Sequence, residues 1–256
     1  MQISPENHRI IGIIPARWDS SRFPGKPLHP LLGKPLLQHV VERASQCQKL
    51  AGLLVATDDE RIAEAAKSYG VAVAMTSRDH PTGTDRIAEA AGADPAASYF
   101  INIQGDEPLI DPSLVDELAG NLSADPSIDM ITAASPIRDE TQFQDPNIVK
   151  VVLNGSQDAL YFSRSPIPYP RQGEEHLPLR HIGLYGYRAD FLKTFVTWPP
   201  APTEVIESLE QLRALHHGAR IRVVLTEHEA IGLDTPEQVP HLEALLRNLH
   251  SSHQTT

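Results

Sequence analysis

Arg17, Arg22 and Lys26 fall within the eleven residues Ala16 to Lys26, whose only acid is Asp19; three cations less one acid leave a local charge of +2. Between them stand Ala16, Ser20, Ser21, Pro24 and Gly25, which are small or loop-forming and let backbone N–H groups approach a ligand. The apolar run Ile10-Ile11-Gly12-Ile13-Ile14 leads into this stretch and Pro15 ends it. Short and β-branched, that run predicts a strand buried on both faces. A strand that ends in a flexible basic loop is suited to hold phosphate. Neither G-x-x-x-x-G-K-[ST] nor G-x-G-x-x-G occurs, so the loop is neither a P-loop nor a Rossmann fingerprint. Solvated cations on a surface turn are the plain alternative.

Two acids could hold a metal. Asp106 follows a second apolar run and Asp234 follows Ala230 to Leu233. Mg²⁺ takes one or two protein carboxylates and completes its shell with phosphate oxygens and water. Singly, Asp106 reads as a turn residue and Asp234 as a helix cap; beside a phosphate loop, the metal reading gains. Arg164, Arg180 and His181 form a second group able to bind anions, or else are ion pairs and a core histidine. Glu210 and Gln211 lie on an amphipathic stretch. His80, His216, His217 and His228 lack metal-ligand spacing. There is no G-x-S-x-G elbow, and Cys47 has no evident base, so covalent hydrolysis has little support.

The elements that must position these residues follow from periodicity. Helical spacing covers Pro35 to Leu50, Glu60 to Tyr69 (capped by Asp58 or Asp59), Asp85 to Gly92, Pro112 to Leu122, Ala189 to Thr197, Glu204 to His217 and a last helix after Gly232. Strands are expected at Gly52 to Thr57, Val71 to Met75, Tyr99 to Ile103, Asp129 to Ala134, Arg180 to Arg188 and Arg220 to Leu225. Ile148 to Leu153 and Ala159 to Phe162 flank Asn154-Gly155, a hairpin signal. Ser163 to Pro178 reads as a loop. Strands alternating with helices imply an α/β fold of three layers, a mostly parallel sheet with helices on both faces. Ligands then bind at strand carboxyl ends. The basic loop, Thr57-Asp58-Asp59, the Gly83-Thr84 loop and Gln104-Gly105-Asp106 all belong there.

The 256 residues show no composition break and are read as one domain, 1–256. A net charge of −11 disfavours nucleic acid as a partner, while an anionic small molecule needs a local inversion of the field. The single cysteine, Cys47, is expected buried on a helix and fits a reducing cytoplasm. Met1 to Arg9 has no signal-peptide core, and no apolar run is long enough to span a membrane, so no membrane partner is expected.

Ile13-Ile14-Pro15-Ala16-Arg17 followed by Ser21-Arg22-Phe23-Pro24-Gly25-Lys26-Pro27-Leu28 resembles the signature loop of sugar nucleotidyltransferases. Further blocks are Val55 to Asp59, Gly83-Thr84-Asp85-Arg86, Asn102 to Pro108, Ala159 to Arg164, Arg180 to Tyr185, Leu209-Glu210-Gln211-Leu212-Arg213 and Asp234-Thr235-Pro236-Glu237. In this order they resemble the 3-deoxy-manno-octulosonate cytidylyltransferases over about Ile10 to Leu245. Thr82 stands where that family usually has serine and keeps the hydroxyl; Arg171 to Leu179 is shorter than in some members.

The resemblance implies a nucleotide-diphospho-sugar transferase-like fold with an added hairpin and dimerisation region. It implies CTP and the acid sugar 3-deoxy-D-manno-octulosonate (KDO) as substrates, CMP-KDO and pyrophosphate as products for lipopolysaccharide synthesis, Mg²⁺ as cofactor, and a homodimer. Pro15, Ala16, Arg17, Arg22, Lys26, Gly83, Thr84 and Asp106 would meet the nucleotide. Gln104, Arg86, Arg164, His181, Tyr185, Glu210 and Gln211 would meet the sugar. Asp106 and Asp234 would hold the metal, and Lys26, Arg17, Asp106 and Asp234 would act in catalysis. A sister enzyme for sialic acid or an amino analogue of KDO, and a non-catalytic nucleotide-binding module, are the alternatives.

Overall fold

The fold was obtained as a computed structural model that describes residues 8–19, 23–171 and 177–253. It is α/β, with a mostly parallel central sheet and helices. In chain order the elements are β1 (Ile10–Ala16), β2 (Pro30–Leu31), β3 (Lys34–Pro35), α1 (Leu36–Ala44), β4 (Gly52–Thr57), α2 (Glu60–Ser68), β5 (Ala72–Met75), α3 (Gly83–Ala91), β6 (Tyr99–Asn102) and α4 (Pro112–Ala124). Then come β7 (Met130–Pro136), α5 (Glu140–Gln144), β8 (Lys150–Leu153), β9 (Ala159–Ser163), β10 (Leu179–Arg188), α6 (Ala189–Phe195), α7 (Pro202–Glu207), α8 (Gln211–His216), β11 (Ile221–Leu225) and α9 (Val239–His253). Two compact units are built from these: Ile11–Pro95, Asn102–Val115 and Ala230–Thr256 form one, and Met1–Ile10, Ala96–Ile101 and Asp116–Glu229 the other. Neither is a continuous stretch of the 1–256 domain expected from sequence.

In the first unit β1 pairs parallel with β4, and β4 with β5. Ile13, Ile14, Val55 and Ala56 are fully buried, as an apolar run in a parallel sheet should be. Pro15 does not end β1: it sits opposite Ala56, one residue before the strand closes, where a missing N–H costs the ladder little. α1 stops at Ala44, so Cys47 is buried as expected but lies past the helix, its Sγ 3.7 Å from the Pro112 carbonyl. Asp59, not Asp58, caps α2 by accepting from the Arg61 N–H. α3 begins two residues earlier than its spacing suggests. The Thr82 hydroxyl accepts from the Asp85 N–H, and the Asp85 carboxylate accepts from the Thr82 N–H. This capping box draws Gly83 and Thr84 into the first helical turn, where a loop was expected.

A buried cluster of Phe23, Leu31, Leu36, Leu233, Leu242 and Leu246 underlies this unit. Phe23 comes from the basic loop and Leu233 from the segment before Asp234, so burying one apolar group anchors both segments. Where the sequence runs Gln104-Gly105-Asp106, a Cβ on Gly105 would stand 2.5 Å from the Pro15 carbonyl oxygen.

In the second unit β7 pairs parallel with β11 and antiparallel with β10. β8 and β9 form the hairpin that Asn154-Gly155 signalled, and β8 also pairs with β10. α5, capped by Asp139, was not foreseen: its five residues are too short to show a period. The stretch 204–217 is two helices and not one. Ser208 adopts φ +53° between them, and a buried bidentate pair, Arg213 to Glu204 at 2.5 and 2.9 Å, holds the two together. Leu209 and Leu212 are core residues, whereas Val205 and Ile206 are 65% and 82% exposed.

Gly105→Ala is expected to destabilise the first unit by about 1–3 kcal/mol, the usual cost of overpacking, because the atom met is backbone and cannot swing away. Urea unfolding of the variant against wild type measures this.

Candidate active site

A cavity of about 450 Å³ opens in the first unit at the carboxyl ends of its strands. Pro15, Ala16 and Arg17 line it from the end of β1, Lys26 from the basic loop, Gly83 and Arg86 from α3, and Gln104, Gly105 and Asp106 from the turn after β6. Lys26 Nζ donates to Asp106 Oδ2 at 2.6 Å, with the two side chains 15% and 32% exposed. Arg17 is exposed. Arg86 is 1% exposed; its guanidinium holds Asp58 at 2.7 Å and also donates to the Thr76 hydroxyl. It therefore fixes α3 against the β4 end while forming part of the cavity wall. Thr84 is buried in the first turn of α3. Arg22 lies outside the described residues, as does most of the short segment from Arg171 to Leu179.

The turn Gly232-Leu233-Asp234 passes beside Asp106. The Leu233 N–H donates to the Asp106 carbonyl at 2.9 Å, and a Cβ on Gly232 would stand 4.0 Å from Asp106 Oδ1. Gln238 Oε1 accepts from the N–H groups of Asp234 and Thr235, which fixes the turn ahead of α9. Among the described residues no group of three or more His, Cys, Asp or Glu could hold a metal. Carboxylates on adjoining turns are all-oxygen donors, which suits a hard cation completed by phosphate and water.

The loop itself has a brace that the sequence did not reveal. Gly25, at φ +72°, donates its N–H to the Trp18 carbonyl at 3.0 Å, and a Cβ there would stand 3.1 Å from the indole. The guanidinium of Arg61 lies 3.3 Å from the Trp18 ring centroid and is itself held by Asp59 at 2.6 Å. That ion pair keeps the Asp59 carboxyl below its usual range.

In the second unit Phe162 meets the His181 ring edge-on with centroids 5.0 Å apart, and Tyr185 lies tilted against it at 5.4 Å. Burial pushes the His181 pKa down from 6.5 to about 3. Burial also raises the Tyr185 phenol, with Tyr187 and Glu210 adding to it. Gln211, at the first turn of α8, is buried. Arg164 is committed to backbone: Nε donates to the Glu207 carbonyl at 2.7 Å, Nη1 to Pro146 at 2.9 Å and Nη2 to Ser208 at 3.4 Å. Glu207 in return accepts from the Arg164 N–H and the Ser163 hydroxyl. Wholly buried Lys150 donates to the carbonyls of Asp145, Ile148 and Arg164. The break after α7 and the end of β9 are thus tied through Arg164. One signal for this lay in the sequence: Lys150 is a charged residue in the otherwise apolar run Ile148 to Leu153.

A mostly parallel α/β sheet whose strand ends carry Lys26 of a basic loop beside Asp106 is the setting of a nucleotide-binding transferase. The family model described as Cytidylyltransferase matches residues 11–221. A 3-deoxy-manno-octulosonate cytidylyltransferase of Solibacter usitatus is 49% identical over 93% of this chain and 95% of its own length. One of Bdellovibrio bacteriovorus is 50% identical over 93% of this chain and 98% of its own. A solved CMP:2-keto-3-deoxy-manno-octonic acid synthetase complexed with CTP superposes with a TM-score of 0.90 at 43% identity, covering 94% of this chain and 99% of that one. A 4-diphosphocytidyl-2C-methyl-D-erythritol synthase of Anaerococcus prevotii, 13% identical over 95% of this chain and 98% of its own with a TM-score of 0.64, shares the fold. The chain belongs to the 3-deoxy-manno-octulosonate cytidylyltransferase family.

His181 makes stability depend on pH with a definite sign. Its folded pKa of about 3 lies below the unfolded 6.5, so the unfolded chain binds the extra proton between those values. The contribution of His181 to stability is full above pH 6.5 and is lost as pH drops toward 3. Thermal unfolding at steps between pH 7 and pH 4 should show wild type losing more of its melting temperature than His181→Gln, which cannot titrate there.

Proposed function

We propose that this chain transfers CMP from CTP to the anomeric hydroxyl of KDO, releasing pyrophosphate. The observation that carries the reading is the cavity in the first unit, which gathers Arg17 and Lys26 beside Asp106 in a chain of net charge −11. A polyanion can bind such a protein only where the field is inverted locally. The names of the relatives supply the base and the sugar.

Lys26 and Arg17 hold the triphosphate and offset charge as pyrophosphate departs. N–H groups in the first turn of an α-helix have no intrahelical acceptor. At α3 the Asp85 N–H is taken by the Thr82 hydroxyl, and it is the backbone of Gly83, which lines the cavity, that suits the acceptor edge of cytosine. Of the sugar-binding groups that the family resemblance implies, Gln104 and Arg86 line the cavity of the first unit, and His181, Tyr185, Glu210, Gln211 and Arg164 belong to the second unit. Arg164 acts there through the backbone it braces. The reaction is an in-line displacement at the α-phosphorus without a covalent enzyme intermediate. Asp106 and Asp234 would hold Mg²⁺. When bound, the ion lowers the pKa of the attacking hydroxyl and neutralises charge growing on the phosphate.

The proposal extends to lipopolysaccharide synthesis in the cytoplasm, in keeping with a lone cysteine. No helix among the described residues is long and apolar enough to cross a membrane. A homodimer also belongs to it, supported by the open apolar side chains Leu160, Val205 and Ile206.

Pyrophosphate release from CTP and KDO with Mg²⁺ tests the reaction; absence of turnover sinks it. Lys26→Ala should lower kcat and raise the KM for CTP, each by roughly tenfold or more, because charge grows on the leaving group in the transition state. Lys34 pairs with Glu42 at 2.7 Å, with both side chains more than two-fifths exposed, and Lys34→Ala should change neither constant by more than about twofold. Equal, small effects at both positions would place the phosphate site elsewhere. Asp106→Asn and Asp234→Asn should each cost on the order of 10²–10³ in kcat while circular dichroism stays native. Near-normal activity in either would remove the two-carboxylate metal site.

A further inference from the structure

β10 is bulged where the sequence reads His181-Ile182-Gly183-Leu184-Tyr185. Ile182 faces Ala133 and Tyr185 faces Thr132, so Gly183 and Leu184 have no opposite residue on β7. Carbonyls displaced from a ladder need another donor. The Thr132 hydroxyl supplies it: Oγ1 lies 3.0 Å from the Ile182 carbonyl oxygen and 2.9 Å from that of Leu184. Thr132 is wholly buried, so water cannot take its place. A third neighbour, His181 Nε2, stands 3.0 Å from the same oxygen.

A hydroxyl has one proton and two lone pairs, and carbonyls only accept. The Thr132 proton is therefore directed at the two carbonyls, and Oγ1 meets His181 with a lone pair. A bare ring nitrogen at that distance would set lone pair against lone pair. Nε2 must carry the proton and donate to Oγ1. In a neutral imidazole the other nitrogen, Nδ1, is then the acceptor, and among the described residues nothing hydrogen-bonds to it.

We propose that Thr132 is a positioning residue that fixes His181 as the Nε2–H tautomer, so that Nδ1 accepts a hydrogen bond from a hydroxyl of the acid sugar and does not meet its carboxylate. This rests on the proposed sugar-transfer reaction and refines the sequence-based grouping of His181 with anion-binding arginines. The depressed pKa agrees with it, since a ring neutral at pH 7 brings no positive charge to a carboxylate. Phe162 and Tyr185, packed on the same ring, hold its plane.

The tautomer is read directly by long-range ¹H–¹⁵N correlation of the wild-type protein, with the His181 signals identified by their loss in His181→Gln. A pyrrole-type Nε2 and a pyridine-type Nδ1 are expected at pH 7. The opposite pattern, or a doubly protonated ring, overturns the proposal. Adding KDO alone should move Nδ1 and leave Nε2 pyrrole-type; an unmoved Nδ1, or protonation on binding, overturns it equally. In kinetics, Thr132→Val should raise the KM for KDO about tenfold, the weight of one hydrogen bond, with the KM for CTP within about twofold. Thr132→Ser, which keeps the hydroxyl, should restore it. Equal rises in both KM values would show mere loss of structure and refute the positioning role. Should Thr132→Val fail to fold, the wild-type spectra still decide. A protein with the expected tautomer and KDO response but no turnover of CTP would refute the transfer reaction and leave the assignment of His181 standing.

Discussion

Lys26 and Asp106 are 80 residues apart in sequence and 2.6 Å apart in space. A half-open ion pair of this kind contributes little to stability. Its importance is that opposite charges stand side by side in one cavity wall, a cation suited to phosphate against an acid suited to a metal. The first unit is arranged to keep them so. β1 delivers the basic loop and the turn after β6 delivers Asp106. The two can lie this close because residue 105 lacks a side chain against the Pro15 carbonyl. Beneath them, Phe23 and Leu233 share one apolar cluster, so the phosphate loop and the second acid's turn are anchored by the same burial.

The second unit meets a different constraint, satisfying polar backbone where regular structure breaks. The bulge in β10 and the kink at Ser208 both break regular structure, and in each a side chain donates to backbone carbonyls, from buried Thr132 at the bulge and half-buried Arg164 at the kink. Thr132 serves the bulge. Arg164 and Lys150 serve the region around the kink and the end of β9. These irregularities lie next to His181, Tyr185 and Glu210, as bulges commonly do near functional groups. Arg164 donates to the carbonyls of Glu207, Pro146 and Ser208.

Charge on this chain is organised locally. A net −11 repels CTP and an acid sugar alike, yet the cations of the first cavity stand where strands end. Arg86, paired with Asp58, and Arg61, paired with Asp59, act as braces, whereas Lys26, although paired with Asp106, and exposed Arg17 line the cavity as the groups suited to incoming phosphate.

Much of this was legible in the sequence. The alternation of strands and helices, the basic loop after β1, the acids at 106 and 234 and the Asn154-Gly155 hairpin each follow from local pattern, because period and turn chemistry are properties of neighbouring residues. The family blocks identified the relatives. What only the tertiary structure decided involves partners far apart in the chain. The capping box that turns Gly83 and Thr84 helical was local and could have been read. The split of 204–217 could not, because it depends on Ser208 accepting a left-handed conformation that the Glu204–Arg213 pair stabilises. Nor could the proton on His181, which is set by Thr132, 49 residues away, and by two carbonyls freed by a bulge. Sequence shows which groups are present; where each proton and charge is committed depends on which distant groups the fold brings within three ångströms.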